Sequence, residues 1–211
     1  MAKPDKKSRA SQKRQRILEG ALRAFAKNGF YNTRVSEIAN EAGVADGTIY
    51  LYFKNKDDLL ICLFEDQMEW IISRLRDELA AVDGGVVTQL RAFVHLHFRL
   101  AVERPDLAEF ITVELRQSAK FVKEYENPVF ADYLKMLYSL IERGQREGIL
   151  RSDLDSRLVT RAIFGALDEV LLQLALLPDP PTDVSDEAHQ IAEMIIDGLL
   201  NDSPENFSPT G

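Results

Sequence analysis

The chain has 211 residues, of which 45% are hydrophobic and 28% charged, and its formal net charge is −8. This length suits one domain or two small ones, and the composition is that of a soluble globular protein. No apolar run reaches the roughly 18 residues of a membrane span, no secretory signal is recognisable, and one cysteine excludes an internal disulfide, so a cytoplasmic location is expected.

Charge is distributed unevenly along the chain. Residues 1–56 contain 12 Lys and Arg against five Asp and Glu, a net of +7, which leaves −15 for the remainder. A basic N-terminal segment followed by an acidic remainder is expected when the N-terminal segment binds nucleic acid. A solvated basic tail is the alternative interpretation of the same charges.

The first predicted elements are an arm and a helix. Residues 1–10 are expected to form a mobile basic arm. A helix from about Ser11 to Asn28 is predicted from an apolar stripe at helical spacing, with Gly29 as its C-cap. The stripe consists of Ile17, Leu18, Ala21, Leu22 and Phe25.

A helix-turn-helix is predicted next. Val35 to Ala42 has one apolar face at three- and four-residue steps, and Thr33 is a suitable N-cap for it. Gly43 supplies the positive φ of a sharp turn. Asp46 is placed to cap a second helix from Gly47 to Tyr52, which would lie in the major groove with its first residues on base edges.

The rest of the chain is also predicted to be helical, since no alternating strand pattern occurs. Asn55 is the expected N-cap of a long helix from Lys56 to about Val82, which Gly84 and Gly85 end. Further helices are expected at about 87–103, 105–118, 128–147, 156–177 and 185–200. The predicted fold is therefore all-α with about nine helices: a three-helix DNA-binding domain (1–55), a helical ligand-binding and dimerisation domain (56–201) and a disordered tail (202–211).

Four spaced motifs carry a family resemblance. They are Ile-Leu-x-x-Ala-x-x-x-Phe-Ala-x-x-Gly-Phe-x-x-Thr (17–33), Ile-Ala-x-x-Ala-Gly-Val (38–44), Gly-Thr-Ile-Tyr-x-Tyr-Phe (47–53) and Lys-x-Asp-Leu (56–59). Through them, residues 16–60 resemble the N-terminal domain of the TetR (tetracycline-repressor-like) family of bacterial transcription regulators. Residues 44–56 and the Glu-Leu-Arg-Gln of 114–117 look most like FadR-type fatty-acid regulators. The resemblance implies a homodimeric repressor on a palindromic operator, and long-chain acyl-CoA as the effector that releases it.

Seven residues are predicted to contact DNA. Thr48 and Tyr50 lie early on the second helix, where side chains reach base edges or flanking phosphates. Lys54 and Lys56, at the end of this helix and the start of the next, suit phosphate. Thr33 and Arg34 lie at the start of the supporting helix, whose N-terminus attracts phosphate. For Tyr52 the resemblance implies a phosphate contact, while packing is an equal alternative. Ile49, Leu51 and Phe53 are expected to pack. The predicted DNA contacts are Thr33, Arg34, Thr48, Tyr50, Tyr52, Lys54 and Lys56.

Two polar residues, His97 and Glu114, interrupt apolar stripes in the middle of the chain. Buried polar groups need partners, which would be either a ligand or groups of the core. The segment from Arg91 to Lys123 has a net charge of +2, suited to the phosphates of an acyl-CoA at the mouth of an apolar tunnel, although solvated helix faces explain it equally. The candidate ligand-binding residues are Phe93, Val94, His97, Phe98, Arg99, Arg104, Phe110, Glu114, Arg116, Phe130, Tyr133 and Phe164.

The last two long helices are apolar on more than one side, which predicts a subunit interface rather than a monomer core, the alternative. A palindrome-reading protein also needs two DNA-binding heads. The predicted interface residues are Ile163, Leu167, Leu171, Leu174, Ile191, Ile195 and Leu199.

Three functions remain open at this point. The leading one is a repressor of fatty-acid metabolism genes; the others are a multidrug-type TetR regulator sensing another hydrophobic compound, and a DNA-binding module controlled by a protein partner. An enzyme is not expected, because no Gly-rich phosphate loop, nucleophile elbow or metal motif occurs. No cofactor and no metal are expected, since three scattered histidines and Cys62 lack ligand spacing.

Overall fold

The computed structural model describes residues 6–113, 126–177, 179 and 181–201. Within them the chain forms nine α-helices and no strand, which confirms the all-α prediction. In chain order they are α1 (Lys6–Asn28), α2 (Val35–Ala42), α3 (Asp46–Ile49), α4 (Lys56–Ala81), α5 (Val86–Glu103), α6 (Pro105–Thr112), α7 (Pro128–Arg146), α8 (Ser156–Ala175) and α9 (Ser185–Leu199). None of these helices combines the length and apolarity needed to cross a membrane.

The chain divides into two compact units. The first unit comprises Met1–Trp70 and Arg104–Asn127, and the second comprises Ile71–Glu103 and Pro128–Gly211. Helix α4 therefore contributes residues to both units.

Helix α1 is central to the first unit, because α2 and α6 both pack against it. Its predicted apolar stripe is buried, and the Phe25 ring lies 5.5 Å from the ring of Phe30 and 6.3 Å from that of Phe110. Gly20 permits the close approach of α2, since a Cβ there would lie 2.8 Å from the backbone nitrogen of Ala42. Burial of each such apolar side chain contributes about 1.5–3 kcal/mol to the stability of the unit.

Several predicted helix ends are confirmed. Gly43 has φ 63° and Gly29 has φ 74°, the left-handed conformation that residues with a Cβ rarely adopt. The N–H of Gly29 donates to the carbonyl of Phe25 at 2.8 Å and so closes α1. Asn55 caps α4, because its Oδ1 accepts a hydrogen bond from the N–H of Asp58 at 2.8 Å.

Two predicted boundaries are wrong. Helix α1 begins at Lys6, so residues 6–10 are helical rather than part of an arm; Lys, Arg and Ala are good helix formers, and nothing there stops the helix. The second helix of the helix-turn-helix covers only Asp46–Ile49, with Ala45 as N-cap and Asp46 inside the first turn. The N–H groups of Tyr52 and Phe53 both donate to the carbonyl of Ile49, which continues the chain as a tight turn.

In the second unit, α5 is contacted by α7, α8 and α9, and α7 also packs against α8. Arg91 of α5 pairs with Glu193 of α9, with 2.6 Å between Nε and Oε1. Asp155 caps α8 by accepting hydrogen bonds from the N–H groups of Arg157 and Leu158, both at 2.9 Å. The Arg91–Glu193 pair thus joins α5 to α9, while the Asp155 cap fixes the start of α8.

Candidate nucleic-acid interface and effector site

Two arginines of α1 hold the C-terminal end of α2. Arg16 Nη2 donates to the carbonyls of Ala42 and Gly43 at 2.8 and 2.9 Å, and Arg23 Nη2 donates to the carbonyl of Glu41 at 2.8 Å. A cation at this position satisfies carbonyls that a helix end leaves open and complements the helix dipole. Part of the basic charge near the N-terminus therefore positions the helix-turn-helix, a role that sequence reasoning missed.

Thr33 is not the N-cap of α2, and its side chain is buried. It is 2% exposed, and its hydroxyl reaches the carbonyls of Ala24 at 3.1 Å and Gly29 at 2.7 Å. The N-cap is Arg34, whose N–H donates to the carboxylate of Glu37 at 2.6 Å. The N-cap prediction for Thr33 is wrong because its hydroxyl instead donates to carbonyls at the end of α1 and at Gly29, in the turn that leads to α2.

Lys56 also has a different environment from the one expected. Its ammonium donates to the carbonyls of Phe30, Tyr31 and Thr33 at 2.7, 3.1 and 3.1 Å, and it lies 4.6 Å from the centre of the Phe30 ring. Partial burial lowers the pKa of Lys56 below the ordinary lysine value. An ammonium has three donors, and three carbonyls engage them here, so the geometry does not support Lys56 as a free phosphate contact.

The end of α3 presents an outward surface. Ile49 and Phe53 are buried, as expected, and anchor the segment from inside. Between them, Tyr50 is 58% exposed and Leu51 is 81% exposed. The prediction that Leu51 packs is wrong, because a residue two positions after an inward residue faces another side of the chain, whereas residues three and four positions apart share a face. Thr48 is half-buried on the same element.

Three other predicted DNA contacts flank this surface. Arg34 and Lys54 are exposed, whereas Tyr52 is half-buried with its ring 6.5 Å from that of Phe53. We call Arg34, Thr48, Tyr50, Leu51 and Lys54 the outward set. Its two cations suit phosphate, and its hydroxyl, phenol and methyl groups suit base edges and sugars.

The second unit contains a buried polar pair. Tyr133 Oη and His97 Nδ1 are 2.7 Å apart, which joins α7 to α5. Aromatic rings surround the pair: the centres of Phe93, Phe130 and Phe164 lie 5.7, 6.1 and 6.0 Å from that of Tyr133. The Phe98 ring lies 6.3 Å from the imidazole. The structure thus brings these six predicted ligand-binding residues into one aromatic cluster, and Phe93 and its neighbour Val94 are buried.

Burial makes both members of the pair neutral. It lowers the pKa of His97 to about 4, and it raises the pKa of Tyr133, to which Asp168 adds. The second imidazole nitrogen, His97 Nε2, is closed to solvent and has no hydrogen-bond partner in the part of the chain that the structure describes. An unsatisfied buried nitrogen is costly, so it needs an explanation.

Other predicted ligand-binding residues do not join this cluster. Phe110 belongs to the first unit, where its ring stacks on Phe25, and Arg104 of the same unit pairs with Asp106 at 3.2 Å. Arg99 of the second unit pairs with Glu78 and, at 3.8 Å, with Glu103. Both arginines are thus paired with carboxylates within the protomer. Glu114 and Arg116 lie outside the described residues.

A basic groove between α7 and α8 was not anticipated from the sequence. It has a volume of about 330 Å³ and contains three cations, Lys135, Arg157 and Arg161, none of which forms an ion pair within the described residues. Its other lining residues are Ala131, Leu134, Tyr138 and Thr160. The cations lie on two helices, so no local charge run in the sequence indicates them.

Four of the predicted interface residues are buried within the protomer. Ile163, Leu167 and Leu171 form one stripe of α8 that packs inward, and Leu199 is buried on α9. Their assignment to a subunit interface is wrong for this reason. Leu174, Ile191 and Ile195 are half-exposed and stay compatible with it. The large exposed apolar side chains on or next to these helices are Leu158, Leu176, Leu177 and Met194.

Comparisons with known proteins agree with this geometry. Residues 17–62 match the family "Bacterial regulatory proteins, tetR family", and residues 64–198 match "YsiA-like protein, C-terminal region". The chain is 34% identical over 189 residues to the fatty acid metabolism regulator protein of Bacillus subtilis (strain 168), covering 90% of this chain and 96% of that protein.

Two solved structures share the fold and the same level of identity. FadR from Bacillus subtilis in complex with stearoyl-CoA superposes with a TM-score of 0.80 at 34% identity, over 87% of this chain and 98% of its own. The fatty acid degradation regulator FadR from Bacillus halodurans also has a TM-score of 0.80 at 34% identity, over 88% of this chain and 98% of its own.

Proposed function

Because this chain belongs to the TetR family of bacterial transcription regulators, we propose that it represses fatty-acid metabolism genes in the bacterial cytoplasm and that long-chain acyl-CoA releases it from its operator. The matching family model describes bacterial regulatory proteins, and one relative is named a transcriptional repressor. In this proposal the chain is accordingly a ligand-responsive regulator rather than an enzyme, and it binds operator DNA as a dimer. In this proposal, residues 1–55 form the DNA-binding domain, and residues 56–201 form the domain for effector binding and dimerisation.

For DNA reading we propose that the outward set forms the contact surface. Thr48, Tyr50 and Leu51 occupy the face of the α3 segment opposite its buried anchors, where a Thr or Leu methyl contacts the thymine methyl and a phenol contacts sugar or phosphate. Arg34 and Lys54 supply phosphate contacts. Tyr52 remains a candidate phosphate contact. The observation that supports this surface is the burial of Ile49 and Phe53 together with the exposure of Tyr50 and Leu51 between them.

For the effector, the supporting observation is the aromatic cluster around His97 and Tyr133. Rings from α5, α7 and α8 form an apolar interior, and a relative of 34% identity is solved with stearoyl-CoA. An acyl chain gains about 0.8 kcal/mol per buried CH₂. Acyl-CoA releases the protein from DNA if it binds more tightly to a conformation that has low affinity for the operator. The change in operator affinity cannot exceed the difference between the affinities of acyl-CoA for the two conformations.

For the phosphates of CoA we propose the basic groove. Arg99 and Arg104 would have to leave Glu78 and Asp106 before they could bind phosphate, whereas Lys135, Arg157 and Arg161 have no such partners in the described chain. Charge-assisted hydrogen bonds from Arg to phosphate are among the strongest hydrogen bonds in proteins. Replacing both Arg157 and Arg161 by Gln should therefore weaken stearoyl-CoA binding and leave a stearoyl thioester without phosphates unaffected.

One experiment tests the proposed function as a whole. The protein selects its binding site from a random DNA pool, and affinity for the selected duplex is then measured with acyl-CoAs of increasing chain length. A palindromic site and an inhibition that strengthens steeply with chain length are expected. Selection of no site would overturn the DNA-binding assignment. Inhibition that is equally weak at every length would remove acyl-CoA and leave a regulator of another hydrophobic compound or of a protein partner.

A further inference from the structure

The hydrogen bonds of the buried pair determine which nitrogen of His97 carries the proton. Tyr133 has one hydroxyl hydrogen, and within the described chain its hydrogen bond is to His97 Nδ1, at 2.7 Å. If Nδ1 carried the proton, it would donate to Oη, and both the Tyr133 hydrogen and the Nε2 lone pair would lack partners. If Tyr133 donates, only Nε2–H lacks a partner. The second arrangement leaves fewer unsatisfied buried groups and is therefore favoured.

Nε2 is thus a neutral, buried hydrogen-bond donor without an acceptor among the described residues. No cationic or anionic side chain contributes to the lowered pKa of His97, which comes from burial. The negative charge of Asp168, on α8, contributes to the raised pKa of Tyr133. Because the imidazole is uncharged, it offers no counter-charge to offset the cost of burying a free carboxylate, whereas a neutral acceptor such as a carbonyl oxygen is buried at a lower cost.

The surroundings restrict the ligand further. The Phe98 ring lies beside His97, and the rings of Phe93, Phe130 and Phe164 lie beside Tyr133, so the surroundings of the pair are mainly aromatic and apolar. A matching ligand has one acceptor oxygen flanked by apolar atoms on both sides. The thioester of an acyl-CoA is such a group, since its carbonyl lies between an alkyl chain and the methylenes beyond the sulfur.

We propose that His97 Nε2–H, held in its tautomer by Tyr133, donates a hydrogen bond to the thioester carbonyl of the bound acyl-CoA and so distinguishes thioesters from fatty acids. This proposal rests on the acyl-CoA function proposed above and adds the group that is recognised. His97 is a specificity-determining residue in this scheme, and Tyr133 is a positioning residue that acts through it.

A comparison of two ligands and two proteins tests the proposal. Calorimetry measures the binding of stearoyl-CoA and of its thioether analogue S-octadecyl-CoA, which has CH₂ in place of the carbonyl. The wild-type protein should bind the thioether about tenfold more weakly, the value of one neutral hydrogen bond. His97→Phe should bind both with the same affinity. A purely structural role for His97 would lower both affinities in parallel and preserve their ratio.

The outcomes separate this proposal from the proposed function. If the wild-type protein binds neither ligand, the acyl-CoA function fails. If it binds both equally, or if His97→Phe keeps the tenfold preference, acyl-CoA remains the effector and the role of His97 is overturned. A second measurement does not depend on the folding of any variant: the ¹⁵N shifts of His97 in the unliganded wild-type protein. These shifts should show a protonated Nε2 and an unprotonated Nδ1, and the opposite tautomer would contradict the proposal.

Discussion

Lys54 and Lys56 are two positions apart, yet their side chains have different surroundings. Lys54 is exposed, and its backbone N–H donates to the carboxylate of Asp58. Lys56 donates to three carbonyls in and next to the turn between α1 and α2. Two lysines that look equivalent as phosphate contacts in the sequence are therefore expected to have separable roles, Lys54 in DNA binding and Lys56 in folding.

Replacing Lys56 by Met should destabilise the protein by about 1–3 kcal/mol, because three partly buried carbonyls lose a charged donor. Urea denaturation followed by circular dichroism measures this change. Lys54→Met is the matched control: its stability should stay within about 0.5 kcal/mol of wild type. Its DNA affinity should instead fall, with a salt slope reduced by about one for each phosphate that the protein no longer neutralises. If the Lys56→Met protein has wild-type stability and shows the reduced salt slope of DNA binding expected for Lys54→Met, Lys56 is a phosphate contact after all.

His97 makes stability depend on pH in a defined window. Its pKa is about 4 in the folded protein against the ordinary value of 6.5, so between these values the unfolded chain binds a proton that the folded chain does not. Stability is therefore expected to fall as the pH drops from 6.5 to 4, by on the order of 3 kcal/mol from this residue. His97→Phe should flatten the profile, whereas His189→Gln, at an exposed position, should not. Parallel profiles for wild type and His97→Phe would show that His97 protonates freely when folded.

At the scale of elements, the helix-turn-helix depends on how closely α2 approaches α1. Gly20 lies at the crossing of the two helices, where a Cβ would meet backbone and side-chain atoms of Ala42 at 2.8 and 2.9 Å. Backbone atoms cannot rotate away as the end of a flexible side chain does. The helices would have to separate, and the arginine contacts from α1 to the end of α2 would lengthen with them.

Gly20→Ala should consequently destabilise the protein by about 1–3 kcal/mol, the usual effect of overpacking, even though Ala is the better helix former. Thermal denaturation provides the measurement. Gly47→Ala is the control within the same motif, because a Cβ at Gly47 has no atom within 4 Å; no loss of stability is expected there. Equal stability of the Gly20→Ala protein and wild type would mean that α1 and α2 are not tightly packed at this crossing.

At the scale of the whole molecule, the dimer depends on which face of α8 and α9 remains outside the protomer. Leu167 is fully buried, whereas Met194 is 59% exposed. We propose that the subunit interface uses the outward residues, including Leu158, Met194 and the half-exposed Ile191 and Ile195. The apolar residues on the inward face stabilise the protomer itself.

Met194→Glu should therefore give folded monomers that no longer bind a palindromic operator, since a charge buried without a partner opposes association. Leu167→Glu places the same charge in the protomer core and should unfold the protein. Light scattering and circular dichroism together separate the two results. If Met194→Glu remains a dimer, the interface lies on another surface.

Local sequence patterns determined the helices and the family resemblance. Helix α2 follows from apolar spacing, the turn after it from Gly43, and the start of α4 from Asn55, because helical periodicity, positive φ and capping act over a few residues. The motifs of residues 17–59 indicated the family for the same reason. The local patterns did not correctly predict the length of α3 or the first residue of α1.

The tertiary structure alone decided which partner each side chain finds. Leu167 and Met194 are both apolar positions on helices that were interface candidates, but packing against α5 and α7 buries the first and leaves the second outside. Lys56 finds carbonyls more than 20 residues away, and His97 finds Tyr133 across 36 positions. No local spacing encodes such pairs, because the free energy that selects them comes from burial and hydrogen bonding between helices that meet only in the folded chain.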